Sequence, residues 1–450
     1  MLFPYQETGV RWLVNRETGK TPRGGFLCDE MGLGKTIQLI ETMRANPLGR
    51  TLIVVPKSII TQWSEELSRR AMHVHVYDGP QRTLKDAPIV LAPYSVVADL
   101  VGETWDRIIL DEGHEIRNPK AKIFKTLCGM SAEVRWVVSG TPIFNSMRDF
   151  VTLCQFVGYS NGTVAREYER IRKELVLRRT KADVQVMTDT PMNFSNVELE
   201  MYPEEQQLYQ DAYLAGQGFI REAGTSANSM EILECLLRIR QVMVWPQLYL
   251  DGMAIKNKTD PLAYTGRSRK HEALLESIAS HPDEKSLVFT QFTGETDRIQ
   301  ELLVEAGVPA FRLDGNVDTT ERVERINAFK AAAPNAVFLI QIRAGGVGLN
   351  LQEASRVYIT APAWNPATEL QAIGRSHRTG QTKPVVVQKL IYKDLSDDLP
   401  SIEEAIVNLQ LSKSKVCADV LGDQKLERQV PAVVSMKLRT IAKFFKTTSH

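Results

Sequence analysis

Residues 26 to 40 read FLCDEMGLGKTIQLI, and within them Gly32, Gly34, Lys35 and Thr36 form the ending G-x-G-K-T. Glycines let backbone N–H groups turn toward phosphate oxygens, and the start of a following helix adds a positive dipole end. A lysine placed there reaches the β- and γ-phosphates of a nucleotide, and the threonine hydroxyl ligates Mg²⁺. The strand-like GFLC before the loop and the helix-like IQLIETM after it supply the context this use requires. The general pattern has glycine where this chain has Asp29. A second element, RIILDEGH, ends an apolar run on Asp111, Glu112 and His114. At the carboxyl end of a strand one acid can hold Mg²⁺ while the next orients and deprotonates a water for attack on a γ-phosphate. A third, QAIGRSHRTGQ, carries Arg375 and Arg378 at a spacing that puts both on one face of a helix. A planar guanidinium makes two hydrogen bonds to a phosphoryl group and stabilises charge that develops only during transfer. Read without its neighbours, the same pair is a surface helix with salt bridges.

The elements that must position these residues are legible as periodicity. GFLC, TLIVV, HVHVY, IVLA, RIIL and RWVVS alternate with helix-like stretches, which predicts a parallel sheet covered by helices on both faces. From about 160 to 270 the pattern turns helical, as in EEQQLYQDAYLAGQGFI and MEILECLLRIRQVMV. The strand and helix alternation returns with SLVFT, AFRLD, AVFLI, RVYIT and VVVQKLI. The reading is an α/β protein of two lobes, each a mostly parallel sheet covered by helices, joined by a helical region. The expected divisions are lobe 1 at 1–160, a helical connector at 161–270, lobe 2 at 271–395 and a helical tail at 396–450.

Composition narrows the classes. The chain has 450 residues, 43% hydrophobic, with a net charge of +1, so a polyanion must be gripped by a local patch rather than by the summed field. No apolar run reaches membrane-spanning length, and MLFPYQETGVRW lacks the basic start and apolar core of a signal peptide. Five cysteines without a CxxC pair argue for a reduced, intracellular compartment and against a zinc module. His73 and His75 alternate on a predicted strand, which reads as a half-exposed face. Trp245 reads as packing. The tail places Val434, Leu438, Ile441 and Phe445 at helical spacing among basic residues, and it would dock on a lobe, bind DNA or engage a partner.

At these motifs the chain resembles superfamily 2 nucleic-acid motors, and more narrowly the Swi/Snf family of double-stranded DNA translocases. LFPYQETGVRWL is similar to that family's adenine-recognising segment, with Gln6 in the reading position. DEMGLGKT matches its phosphate loop, accounts for Asp29, and implies nucleotide contacts from Asp29, Glu30, Met31, Gly32, Leu33, Gly34, Lys35 and Thr36. SGTPIFNS resembles the segment that couples the two lobes, implying that role for Ser139, Thr141 and His114, with Ser139 where threonine is usual. LRRTKADV, LVFTQFT, RAGGVGLNL and QAIGRSHRTGQ follow in the family order, so the resemblance runs from about residue 2 to 391. DEGHEIRNPKAK and WNPATELQAIGRSHRTGQ are similar to the helicase-like transcription factor and postreplication-repair branch. That branch often carries an inserted RING domain, and the paired Cys/His ligands such a module needs have no counterpart here. The compact layout resembles viral or bacterial minimal members.

The resemblance implies two RecA-like lobes, ATP and Mg²⁺ as cofactors, and an ATP-dependent translocase that remodels protein–DNA complexes or DNA structures. It implies that Arg375 and Arg378 are arginine fingers brought to the phosphate loop when the lobes close, and that Gln371 positions them or the nucleotide. Thr36 and Asp111 would hold the metal, and Lys35, Asp111 and Glu112 would act in catalysis. Lys57, Ser58, Gln62 and Arg343 match tracking-strand contacts, though each also fits an ordinary turn between strand and helix. Expected partners are double-stranded DNA and, through it, DNA-bound proteins or a transcription or repair complex. The expected location is cytoplasmic in a prokaryote, nuclear in a eukaryote, or that of a virus-encoded protein. A strand-separating helicase of the same superfamily and a nucleotide-binding scaffold without turnover are the two alternatives.

Overall fold

The structure is a computed structural model that describes residues 2–80, 82–140, 147–181, 183–184, 190–223, 229–313, 319–342, 349–378, 380–396, 398–421 and 444–445. Two compact units emerge from its contacts, Met1–Thr188 with Lys413–Val430 and Asp189–Ser412 with Pro431–His450.

In the first unit the order is α1 (Pro4–Thr18), β1 (Arg23–Leu27), α2 (Lys35–Ala45), β2 (Thr51–Val55), α3 (Ile60–Arg69), β3 (Val74–Val76), β4 (Ile89–Pro93), β5 (Arg107–Asp111), α4 (Lys122–Gly129), β6 (Val134–Val138), α5 (Met147–Val157), α6 (Asn161–Arg166), α7 (Tyr168–Leu175) and β7 (Val176–Leu177). All seven strands run parallel, in the order β3-β4-β2-β5-β6-β1-β7. Strands buried on both faces read as continuous apolar runs, as TLIVV and RIIL do. One face packs Phe26, Val54, Leu110 and Phe150, and the other packs Leu27, Ile53, Trp63 and Trp136. Parallel pairing brings every strand's carboxyl end to one edge of the sheet, where ligands of open α/β sheets bind.

A charged hub sits inside this apolar layer. Glu17, from α1, is fully buried and accepts hydrogen bonds from Arg107 Nε at 2.7 Å, Trp136 Nε1 at 2.8 Å and Asn46 Nδ2 at 2.7 Å. Arg107 is 1% exposed and also reaches the Asn46 carbonyl and Thr51. Removing one member of such a pair strands the other charge without water. Glu17→Ala is therefore expected to destabilise the first unit by roughly 3–5 kcal/mol, measured by urea unfolding, while Glu17→Ala/Arg107→Met is expected to recover part of the loss.

The second unit contains β8 (Met192–Leu199), α8 (Pro203–Ala223), α9 (Ser229–Val244), α10 (Pro246–Asn257), α11 (Arg269–Ala279), β9 (Lys285–Thr290), α12 (Thr293–Glu305), β10 (Ala310–Leu313), α13 (Thr319–Ala331), β11 (Val337–Gln341), β12 (Ala354–Ile359), α14 (Pro366–Ile373), β13 (Val385–Tyr392) and the start of α15 (Ile402–Leu421). Its six strands are again parallel, ordered β10-β11-β9-β12-β13-β8. The architecture is thus two RecA-like α/β lobes. The helical stretch expected at 161–270 distributes between them. α6, α7 and β7 belong to the first unit, whereas α8 and α9 pack Tyr209, Tyr213 and Ile239 into the same core as Val288, Val337 and Tyr358. The tail's Phe444 and Phe445 are buried in that core, where the Tyr213 hydroxyl donates to the Phe444 carbonyl at 3.0 Å. Val434, Leu438 and Ile441 lie outside the described residues.

Candidate functional site

Register sets the geometry of the first unit's carboxyl edge. Val138 pairs with Leu27 on one side and Asp111 on the other, so the phosphate loop and the acid pair emerge at the same level, on either side of Ser139 and Gly140. Leu27 also pairs with Leu177, which brings the chain after β7 alongside the loop.

Gly32 and Gly34 adopt φ of +88° and +73°, the left-handed region that glycine enters without steric cost. Gly34 precedes the first residue of α2, so the loop delivers Lys35 and Thr36 into the helix's first turn. Lys35 Nζ donates to the Asp29 carbonyl at 2.8 Å and to the Glu30 carbonyl at 3.4 Å, and it lies 3.9 Å from the point where a Cβ on Gly140 would sit. Gln6 spans from α1 to this loop. Its Oε1 accepts from Phe3 N at 3.0 Å and its Nε2 donates to the Leu33 carbonyl at 3.3 Å. Met31 borders Gly140 from the same side. The carboxylates of Asp29 and Glu30, expected at the nucleotide, make bonds to α2 and to the segment after β7. The Asp29 carboxylate is fully buried against Arg179 and Gln38, and Glu30 Oε2 accepts from Lys181 N at 2.8 Å, so both acids are engaged in holding the loop.

Across Ser139 and Gly140, Asp111 Oδ2 accepts from Trp63 Nε1 at 2.7 Å and Oδ1 from Glu112 N at 2.9 Å. Burial and the neighbouring Glu112 charge raise the Asp111 carboxyl to about 6, against the pull of Trp63 and Lys35. An acid held in that way gains from a divalent cation beside it. Mg²⁺ takes one or two protein ligands plus phosphate oxygens, and Thr36 and Asp111 are the residues that would hold it. Among the described residues no cluster of three or more His, Cys, Asp or Glu forms a separate metal site. Glu112 sits at φ +50°, a strained conformation for a side-chain-bearing residue that re-aims its carboxylate out of the strand. His114 Nδ1 lies 3.3 Å from Glu112 Oε2. The glycine of DEGH has a steric cause, since a Cβ at Gly113 would meet Val137 Cγ1 at 2.6 Å.

Ser139 is buried, its N–H bonded to the Leu27 carbonyl at 3.2 Å; Thr141 lies outside the described residues. Lys57 and Ser58 form a short 3₁₀ turn between β2 and α3, and both are exposed, as is Gln62. Lys57 Nζ lies 3.4 Å from Asp78 Oδ2. Arg343 lies outside the described residues. His75 bonds the Thr83 carbonyl at 2.9 Å, and Trp245 packs on His271, whose imidazole burial drives down to about 3 and so keeps neutral.

In the second unit α14 opens with Asn365 capping Ala367 N and Pro366 in the first turn. It stops at Ile373. Arg375 and Arg378 therefore follow the helix rather than share its face, because Gly374 closes it and Ser376 turns the chain by bonding the Ala354 carbonyl at 2.5 Å. Gln381 pins the same turn through the Ala354 and Ser376 carbonyls. Arg375 is 5% exposed, and its carbonyl accepts from Leu351 N at 3.0 Å. Arg378 is partly exposed and makes no side-chain hydrogen bond or ion pair with the described residues, while burial of its neighbourhood lowers its pKa. Gln371 is half-buried on α14.

Four side chains that motif reading did not assign complete the first unit's site: Trp63 on Asp111, the Tyr94 hydroxyl on the Asp111 carbonyl at 2.8 Å, and Arg178 and Arg179 beside the loop. The sequence signal for the arginines was their presence in LRRTK, but nothing local says what they bind.

A glycine-bent loop feeding a lysine into a helix, one strand away from paired acids on a parallel sheet, is the arrangement of P-loop nucleotide-binding proteins. Here it is joined in the chain to a second parallel α/β lobe bearing an arginine turn. The chain belongs to the SNF2-related family: the description "SNF2-related domain" matches residues 5–248, and "Helicase conserved C-terminal domain" matches residues 269–380. It is 29% identical to the "Probable global transactivator" of Orgyia pseudotsugata multicapsid polyhedrosis virus, over 89% of this chain and 88% of that protein. It is 26% identical to the "Helicase-like transcription factor" of Oryctolagus cuniculus, over 87% of this chain but only 52% of that protein. The chain thus spans about half of that relative. A solved structure, "Sulfolobus solfataricus SWI2/SNF2 ATPase core in complex with dsDNA", is 26% identical over 96% of this chain and 97% of that one, at a TM-score of 0.42. Among the described residues no helix is long and apolar enough to cross a membrane.

Proposed function

We propose that this protein is an ATP-driven translocase on double-stranded DNA. The observation that carries the reading is the level register of Leu27, Val138 and Asp111 at three adjacent strands' carboxyl ends, from which the glycine-bent loop leads on to Lys35 at the start of α2. Mg²⁺ bound to ATP supplies charge neutralisation at the β- and γ-phosphates. Lys35 orients the phosphates from the helix start, and Gln6 is placed to read the base edge. Glu112, turned out of the strand, takes the proton of the attacking water, and His114 steadies its carboxylate. Arg378 supplies a guanidinium to the transferring phosphoryl group during turnover.

The exposed turn at Lys57 and Ser58 opens α3 on the same edge, and its amides and ammonium suit a DNA phosphate. Because that contact reads backbone, sequence preference is weak and affinity falls steeply with salt. The decisive experiment compares ATP hydrolysis with duplex DNA, single-stranded DNA, RNA and nucleosomes, together with displacement of a third strand from a triplex. Duplex-stimulated hydrolysis and triplex displacement without strand separation are the expected results. ATP-dependent release of a single strand from a plain duplex would replace this reading with a strand-separating helicase, and absent phosphate release would replace it with a scaffold. Lys57→Ala is expected to weaken duplex binding equally across sequences and to reduce the slope of log affinity against log salt by about one, measured by fluorescence anisotropy.

A further inference from the structure

The stretch Arg178–Lys181 runs beside the phosphate loop like a strap, a few residues before the second unit begins at Asp189. Its backbone extends the ladder beyond β7: Cys28 N donates to the Leu177 carbonyl and Glu30 N to the Arg179 carbonyl, each at 2.8 Å. Arg178 Nη1 binds the Cys28 carbonyl at 2.9 Å and the Gly140 carbonyl at 3.2 Å, tying the loop's root to the chain after β6. Arg179 does more. Its Nε donates to Asp29 Oδ1 at 3.0 Å, its Nη2 to Asp29 Oδ2 and, at 2.7 Å, to Gln38 Oε1, and its Nη1 to the Tyr5 carbonyl. Gln38 closes the circuit by donating from Nε2 to Asp29 Oδ2 at 3.0 Å and to the Leu33 carbonyl at 3.3 Å.

We propose that Arg179 is a positioning residue that sets the shape of the phosphate loop and the placement of Gln6 together. The inference deepens the ATPase reading and rests on it. One guanidinium holds Asp29 at the start of the loop and Tyr5, the neighbour of Gln6, at the base-reading end. The Asp29 pair is bidentate and its acid is fully buried, so the geometry is specified as well as the charge. Lys35 donates to the carbonyls of Asp29 and Glu30, the two residues the strap grips, so a shift of the strap moves the resting point of the lysine. Gly9 marks how close α1 lies: a Cβ there would come 2.0 Å from Gln38 Oε1 and 2.7 Å from Arg179 Nη2.

The test uses the full chain and three variants, Arg179→Ala, Asp29→Asn and Gly9→Ala. KM for ATP and kcat are measured on duplex DNA, ADP affinity by calorimetry, and the unfolding midpoint without nucleotide. Loop positioning predicts that KM for ATP and Kd for ADP rise about tenfold or more in Arg179→Ala while kcat falls by no more than about threefold. Arg179→Lys recovers part of the loss, and Arg179→Ala/Asp29→Asn is no worse than the poorer single change. Gly9→Ala, whose new Cβ would meet the ends of Gln38 and Arg179 first, reproduces the effect, and with Asp29→Asn it decides the matter if Arg179→Ala does not fold. Unchanged KM and ADP affinity, or a loss confined to active fraction and unfolding midpoint, overturns the proposal. If the wild-type chain neither binds nor hydrolyses ATP, the ATPase reading falls first; if it does both and the variants match it, only the strap proposal falls.

Discussion

Arg378→Ala is expected to bring DNA-stimulated ATP hydrolysis down to background while ATP and DNA affinity stay within about tenfold of wild type. The reason lies in when the guanidinium acts. Charge spreads over the γ-phosphoryl oxygens only as the bond to the leaving group loosens, so a donor placed for that moment contributes to kcat and little to ground-state binding. Arginines in this role are worth roughly 10³ to 10⁵ in rate, or about 4 to 7 kcal/mol. Arg378→Lys should fail as well, since an ammonium cannot make the planar two-point contact. The two arginines of the motif are not equivalent in their surroundings. Arg378 is partly exposed and makes no side-chain hydrogen bond or ion pair with the described residues, whereas Arg375 is buried. Arg375→Ala is accordingly expected to lower the second unit's stability as well as turnover, which a thermal unfolding curve separates. Normal hydrolysis on DNA by Arg378→Ala removes that residue from the mechanism.

Lys35→Ala and Glu112→Gln should both stop turnover but divide cleanly on binding. Lys35 is the ammonium at the start of α2, and its loss removes the β- and γ-phosphate contact, so ATP binding weakens together with hydrolysis. Glu112→Gln keeps the shape of the side chain and leaves Asp111 intact with its Trp63 and backbone partners, so ATP and metal stay bound while the base is gone. The expected result is a drop in kcat of at least about 10² for the glutamine variant, in line with removal of a general base, at near wild-type nucleotide affinity. It also removes one of the charges that raises the Asp111 carboxyl, so that carboxyl should titrate lower than in wild type. Wild-type hydrolysis by Glu112→Gln would show that another group activates the water.

Nucleosome-stimulated and duplex-stimulated rates compared side by side separate a chromatin substrate from bare DNA.

The sequence by itself determined the elements that depend on short windows. Apolar runs of four or five residues were strands, the Gly-x-Gly-Lys-Thr ending was a strand-to-helix phosphate loop, and RIIL ended a strand on Asp111, because side-chain burial and glycine's access to positive φ act over a few residues. Tertiary structure decided what those windows could not contain. The spacing of Arg375 and Arg378 fitted one face of a helix, yet α14 ends at Ile373 because Ser376 and Gln381 find the Ala354 carbonyl, a partner on β12 that no local period announces. The helical stretch after residue 160 read as one connector and is shared by two cores, since β7 and β8 are recruited by strands far away in sequence. The partner of the Asp29 carboxylate was not legible either, since the parallel pairing of β1 with β7 brings Arg179 to it from 150 residues away. A buried carboxylate must be paired, and which cation pairs with it is settled by strand order, a property of the whole sheet rather than of any motif.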